Sequence, residues 1–516
     1  LGCSSAAEAV LLTYVKDTSA SCLVTNKTVV RHNLLQFNDS RHRYTFMKGV
    51  YMTTTNHPVR AQDVVASDNT SADDGLQRGM KSRHLQMIAF GSCIGTGLFL
   101  GSGASIQEAG PGVIAAYAIG GFIIFLIMRM LGEMAVEHPV AGSFSAYARE
   151  YIGPIAGFVT GWNWWFTTIV VGMLELTAAG TIMDFWFPGI PHWLTALVAL
   201  VIVTAINLVH VGAFAEAEFW LSLIKVAALI LMIIVGAAIV FGLTPEPALG
   251  LSNITEHGGF FPNGATGMLF SLVAVIFSFG GIISIGTAAG EAQDPAKSLP
   301  KAINNVIWRI LLFYVGGISI IVLLAPWNEL DTSTSPFVRA LSTLGITAAA
   351  TGLNLIVLVA AVSVFNTMTF SGARMLRDLS RGGQAPPFFN SVSAKGVPVR
   401  ALLFNSLLMG SAVLLNFLFE GKILIVLLAI IVGAELISWS AIALAHLNFR
   451  KRCPDAAFRA PLYPFANYLC LAFFALVIVL MFMLPDYRTG AIVLPCWIVT
   501  LALIWLGKKR HDARNK

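Results

Sequence analysis

The sequence predicts an all-α integral membrane protein of twelve transmembrane helices, arranged as a five-plus-five inverted repeat with broken first and sixth helices. Three observations predict it: a composition too apolar for a water-facing surface, a dozen apolar runs of spanning length, and glycine clusters inside two of those runs. Of 516 residues, 56% are hydrophobic and 12% are charged, and the mean hydropathy is +0.75. An average soluble domain carries roughly 25% charged residues, so this chain holds about half the charge such a surface needs. Nucleic-acid binding, a secreted disulfide scaffold and a cytosolic enzyme are all disfavoured on these grounds.

The spans come first. A membrane-crossing helix needs roughly 20 mostly apolar residues. Twelve candidate runs follow Leu85, at about 86–108, 112–135, 155–180, 192–210, 216–242, 266–290, 302–325, 350–373, 399–418, 422–447, 463–484 and 489–507. Short connections join them. Residues 85–507 therefore read as one transmembrane domain, and 508–516 as a cytoplasmic tail.

Residues 1–84 differ. They are polar, rich in Thr, Ser, Asn and Asp, and show no sustained periodicity, which predicts a disordered cytoplasmic segment. Met52 opens a run that reads as an ordinary cytoplasmic lead-in, so residues 1–51 are expected to be upstream sequence translated in frame. A genuine disordered tail is the alternative. The apolar stretch from Ala6 to Val15 is short and has no preceding basic region, unlike a signal peptide. The six cysteines are scattered, without metal-site or disulfide-frame spacing. The histidines are isolated, so no metal site is expected.

Orientation follows from the basic residues. One side collects Arg78, Lys81 and Arg83; Arg149; Lys297 and Lys301; Arg374, Arg377, Arg381, Lys395 and Arg400; Arg450, Lys451, Arg452 and Arg459; and Lys508, Lys509, Arg510, Arg514 and Lys516. The other side has Arg339, Lys422 and Arg488. Twenty against three places both termini in the cytoplasm. The net charge of +6 is mostly the remainder of that asymmetry and does not advertise an acidic partner.

The breaks point to the site. The first run carries Gly91, Gly95 and Gly97 around Cys93, Ile94 and Thr96, and the sixth carries Gly280, Gly281 and Gly286. Glycine weakens a helix and admits close backbone approach. Irregular backbone at membrane depth is tolerated where it lines a cavity or is buried in protein. One such cluster would read as helix packing. A pair in corresponding positions is what an inverted repeat predicts, with half-helix N-termini facing a substrate carboxylate and exposed carbonyls facing its ammonium. A free amino acid offers both charges.

The sequence is also identified by its motifs. MKSRHLQMIAFGSCIGTGLFLGSG at 80–103, EAGPG at 108–112, MRMLGEMAVEHPVAGSFSAYA at 128–148 and GFVTGWNWW at 157–165 resemble the amino acid permeases of the amino acid–polyamine–organocation superfamily. EFWLSLIKVAALI at 218–230, GEAQDPAKSLPKAIN at 290–304 and SWSAIALAHLNFR at 438–450 continue the likeness, which is strongest toward bacterial aromatic amino acid permeases. The resemblance runs from about Gly75 to the C-terminus. It implies a LeuT-type fold and proton-coupled uptake of amino acids across the plasma membrane. It further implies that Gly95, Thr96 and Gly97 hold the substrate carboxylate. Phe277, Ser278, Phe279, Gly280 and Gly281 would present carbonyls to the amine, with Phe277 as an aromatic lid. On its residues alone, Phe277 reads equally as a lipid- or core-facing aromatic.

Charged residues inside the spans come next. Lys225 lies within the fifth run, where a lysine near the bilayer centre costs roughly 2.5–3.5 kcal/mol. Burial disfavours the ammonium form, which suits a proton carrier. Snorkelling to the nearby cytoplasmic end is the alternative. Glu175 and Glu435 are candidates for pocket polarity or the proton route, or for structural pairing. Glu291 is either solvated or paired with Lys297. Ile282 and Ile283 depart from similar permeases, which place a glutamate after an apolar residue at this point. Losing that carboxylate argues against a cationic substrate and for an apolar or aromatic one.

The glycosylation triplets at Asn26, Asn38 and Asn253 are discounted as chance matches, and the basic C-terminal run as a topology anchor. The expected function is import of neutral amino acids, aromatic ones among them, with the lipid bilayer as surroundings, no nucleic acid and no cofactor besides the coupling proton. Proline, D-alanine, D-serine, glycine or GABA-like zwitterions are the alternative cargo, as is exchange in place of symport. A membrane-embedded enzyme lacks a catalytic constellation, and an amino acid sensor usually needs a signalling extension.

Overall fold

The structure, a computed structural model, describes residues 46, 47, 50, 51, 87, 91, 94–138, 140, 143–244, 248–283, 301, 303–330, 334–418, 423–456 and 458–514. The expectations for most of residues 1–84, and for Gly286, Glu291 and Lys297, lie outside the described residues. Two compact units divide the chain. The first comprises residues 1–75 and 450–456. Its described part contains the two-residue ladder Phe46–Met47 with Val50–Tyr51, and Cys453, which is disulfide-bonded. The scattered cysteine spacing gave no sign of that bond.

The second unit, residues 76–449 and 457–516, is helical throughout its described part. Ten helical runs among the described residues are long and apolar enough to cross a bilayer, and Gly264–Ser278 is a shorter apolar helix. The first run, Gly97–Glu137, contains a π-turn (Gly97–Gly101), α1 (Ser102–Ala109), a 3-10 turn (Gly110–Gly112) and α2 (Val113–Glu137). Two of the expected spans therefore meet end to end here. Gly110 turns the chain between them at φ +60°, a conformation open to glycine and closed to most side chains.

The remaining helices are α3 (Ser143–Tyr151), α4 (Pro154–Met183), α5 (His192–Val209), α6 (Val211–Val240) and α7 (Gly264–Ser278). They continue with α8 (Val306–Leu324, π-helical over Ile310–Gly316), α9 (Pro336–Thr343) and α10 (Thr347–Arg381). Last come α11 (Val399–Leu418), α12 (Ile423–Arg452), α13 (Phe465–Met483) and α14 (Pro485–Arg514). Proline opens α4 and α9, where its missing N–H removes no helical bond. The sixth expected span is represented by α7, and the residues after 283 lie outside the described ones.

The outward faces of the spans are apolar, and polar side chains lie among the buried residues. Helix α5 buries Ala196, Val203 and Asn207, while Val201 is 59% exposed and Ile202 52%. Such a continuous apolar exterior marks a lipid-facing surface. Between helices, Asn163 donates to the Ala434 carbonyl and to Ser438, Asn354 to the Ile182 carbonyl, and Thr204 to Ser406. With no hydrophobic drive between helices in lipid, such bonds and close packing at small residues hold the bundle together. Gly490 is the tightest case: a Cβ there would lie 2.0 Å from the Ala429 carbonyl oxygen, so α12 and α14 meet backbone to backbone.

Candidate functional site

The two glycine clusters meet in space. Regular helix is absent at Ile94 and Gly95, and the π-turn begins at Gly97 with no side-chain cap from Thr96. An uncapped helix start leaves N–H groups for another acceptor. Helix α7 ends at Ser278, and Gly281 has φ +79°. A Cβ on Gly97 would lie 2.8 Å from the Ser278 Cα and 3.0 Å from the Phe277 carbonyl oxygen. Glycine is required there because backbone opposes backbone.

Hydrogen bonds fix this contact. The Ser278 hydroxyl donates to the Gly97 carbonyl at 2.7 Å. Its one proton is thereby committed, so the Tyr117 hydroxyl, 2.7 Å away, is the donor to Ser278. Tyr314 donates to the Ser278 carbonyl at 2.9 Å.

A small cavity opens beside the contact. Its lining comprises Gly95, Gly97, Val171, Glu175, Phe277, Ser278, Gly280, Gly281, Val364, Met368 and Ile431. Helical spacing explains the walls: Val171 with Glu175 on α4, and Val364 with Met368 on α10, are i,i+4 pairs that share a face. On α12, Ile431 precedes Glu435 by the same spacing.

The expected site residues divide accordingly. Gly95, Gly97, Phe277, Ser278, Gly280, Gly281 and Glu175 line the cavity. Thr96 stands just behind it and donates to Glu175 Oε1 at 2.7 Å. Glu175 Oε2 is buried without a hydrogen-bond partner. Phe277 packs against Gly101 at the cavity wall and does not face lipid.

The side chain of Phe279 does not join them. Its ring is fully buried between Tyr314, at 4.4 Å, and Tyr117, at 6.0 Å, and it forms no part of the lining. One residue of helical register turns its side chain away from Ser278 and toward α2 and α8.

Lys225 is fully buried and does not snorkel. Its ammonium donates to the Gly91 carbonyl at 2.6 Å and to Ser363 Oγ at 2.8 Å. It thus ties α6 to the broken first span and to α10, behind the cavity. Glu435 is also fully buried, and it pairs with no side chain among the described residues. Neither of its oxygens closes a hydrogen bond of ordinary geometry, though the Gly281 N–H is directed at it. Its Oε1 lies 3.6 Å from where a Cβ on Gly280 would stand. Ile283 is buried, and the carboxylate that stands near the break is that of Glu435 on α12.

Tyr117, Tyr314, Glu218 and Ser363 went unremarked in the sequence reading. For Glu218 a signal existed: Glu218, Ser222 and Lys225 fall at i, i+4 and i+7, one face of one helix. The others carry no comparable signal.

Fold and composition together define a multi-pass helical membrane protein. A solved manganese transporter from Eremococcus coleocola shares the fold, with a TM-score of 0.50 at 12% identity over 84% of this chain and 95% of that one. Residues 84–515 match the model of the amino acid permease family, and the chain belongs to that family. It is 46% identical over 439 residues to the aromatic amino acid transport protein AroP of Escherichia coli K12, covering 84% of this chain and 96% of the relative. AroP of Salmonella typhimurium LT2 is 45% identical over 447 residues, covering 86% and 98%. The amino acid permease YtnA of Bacillus subtilis 168, itself uncharacterized, is 43% identical over 443 residues, covering 84% and 96%. These relatives are transport proteins and permeases.

Proposed function

We propose that this permease imports neutral, aromatic amino acids across the plasma membrane, driven by protons, by alternating access. The body is twelve spans in a five-plus-five inverted repeat, with both termini cytoplasmic. One observation carries the proposal: the cavity opens where the two interrupted helices touch, at Gly97 and Ser278.

The substrate carboxylate is held at the uncapped start of the π-turn, by the backbone of Gly95, Thr96 and Gly97. The ammonium is held by the carbonyls at the end of α7, from Phe277 to Gly281, and by Glu435 beside them. Val171, Val364, Met368 and Ile431 form an apolar wall for the side chain, which favours a neutral, apolar substrate. Phe277 closes over it. The identity to AroP of two organisms supports the aromatic choice.

Lys225 carries the coupling proton. It holds the Gly91 carbonyl at the first break, so a change in its charge alters the grip on the helix that binds substrate. Glu175, between Thr96 and the cavity, gives the proton a route toward the site. No cofactor is assigned beyond the proton.

Uptake into proteoliposomes tests the whole. An inward proton gradient is expected to concentrate phenylalanine, tyrosine and tryptophan, and a protonophore to abolish the accumulation. Accumulation that needs sodium and ignores pH would overturn the coupling. Transport of proline or D-alanine with no aromatic uptake would overturn the substrate.

A further inference from the structure

Glu218 is the other charged end of the Lys225 network. It sits on α6 two turns before Lys225 and is fully buried. Four side chains define its surroundings. Ser363 donates to its Oε1 at 2.5 Å and Ser222 to the same oxygen at 3.1 Å. Asn366 donates to Oε2 at 3.2 Å, and its own carbonyl oxygen is held by Asn207 at 2.8 Å. The first break presses on this cluster: a Cβ on Gly91 would fall 1.7 Å from Ser222 Oγ and 3.2 Å from Glu218 Oε1.

Ser363 joins the two charges. Its Oγ accepts from Lys225 at 2.8 Å and donates its single proton to Glu218. The result is an unbroken chain from Nζ–H through Oγ–H to Oε1, with every donor and acceptor fixed by what the hydroxyl can do. We infer that Glu218 is the internal proton partner of Lys225, reached through Ser363. This rests on the reading of Lys225 as the proton carrier.

The step balances within the chain. Lys225 gives a proton to Ser363 Oγ while Ser363 gives its own to Glu218 Oε1. The N–H and O–H bonds broken are replaced by one O–H bond on Ser363 and one on Glu218. An ammonium and a carboxylate become an amine and a carboxylic acid, and the net charge is unchanged. Only the ionised form gives Lys225 a charge-assisted bond to the Gly91 carbonyl. Proton position and the grip on the first break are therefore linked. The titratable group facing Lys225 from α4 is Glu175, within electrostatic reach. Helix α10 contributes the neutral Ser363 and Asn366.

The test uses the full chain in proteoliposomes, with wild type, Lys225→Ala, Ser363→Ala, Ser363→Thr and Glu218→Gln. Proton influx and phenylalanine uptake under a pH step are read against phenylalanine exchange at equal pH. Ser363→Ala keeps both charges and cuts the chain, so gradient-driven uptake and proton influx are expected to fall by about tenfold or more. Exchange should persist, and Ser363→Thr, which restores a hydroxyl, should recover coupling. Glu218→Gln should behave as Ser363→Ala; if it fails to fold, the two Ser363 variants decide alone. Wild-type coupling in Ser363→Ala, with coupling lost in Lys225→Ala, would overturn the relay and leave the Lys225 reading standing. Coupling retained in Lys225→Ala would instead overturn the parent reading. Loss of exchange together with coupling in Ser363→Ala would make the hydroxyl structural and also overturn the relay.

Discussion

Gly97→Ala is the sharpest test of the site. The added methyl would lie 2.8 Å from the Ser278 Cα, 3.0 Å from the Phe277 carbonyl oxygen and 3.3 Å from the Ser278 nitrogen. All three are backbone atoms, so no side chain can rotate away. Ordinary contact begins at 3.4 Å, so the π-turn and α7 must part by about 0.6 Å. Overpacking of this kind typically costs about 1–3 kcal/mol. If the parted elements are those that hold the substrate, the loss appears in Kd as about 5- to 150-fold, at about 1.4 kcal/mol per tenfold. Equilibrium binding of labelled phenylalanine to the purified permease measures it. Gly352→Ala, where nothing lies within 4 Å of the new methyl, is the neutral control. Gly101→Ala meets the Phe277 ring edge at 2.9 Å, and a ring can turn, so its loss should be smaller. Wild-type affinity in Gly97→Ala would refute the placement of the substrate at this contact.

Other outcomes follow from the same geometry. Lys225→Ala is expected to abolish uptake driven by a pH step while substrate exchange survives; an unchanged pH dependence would remove Lys225 from the coupling. Glu435→Gln breaks no hydrogen bond of ordinary geometry within the protein, so the fold should hold. Affinity for phenylalanine should weaken by about tenfold or more, since hydrogen bonds to charged groups contribute about 1.5–3 kcal/mol. A variant that binds as tightly as wild type would place the ammonium elsewhere. Gly490→Ala forces a methyl to within 2.0 Å of the Ala429 carbonyl oxygen, at a residue outside the cavity lining. It should lower the unfolding temperature in detergent, by a loss of about 1–3 kcal/mol, and leave Kd for phenylalanine unchanged in the folded fraction.

The membrane class, the approximate span positions, both interruptions and the three intramembrane charges Lys225, Glu175 and Glu435 were legible in one dimension. Each is a deviation from a uniform apolar background, and a desolvated charge or a glycine cluster within twenty apolar residues is visible without knowing its neighbours. Which face of each helix turns inward was not legible. A helix apolar on every side carries little amphipathic signal, so Phe277 and Phe279 looked alike until packing put one at the cavity and the other against Tyr117 and Tyr314. Nor could the sequence join Ser363 to Lys225 or Ser278 to Gly97, since their helices lie more than a hundred residues apart along the chain. Those pairings depend on how the helices stack. Tertiary structure therefore decided the partners, because a hydrogen bond needs contact and contact between distant helices is set by packing.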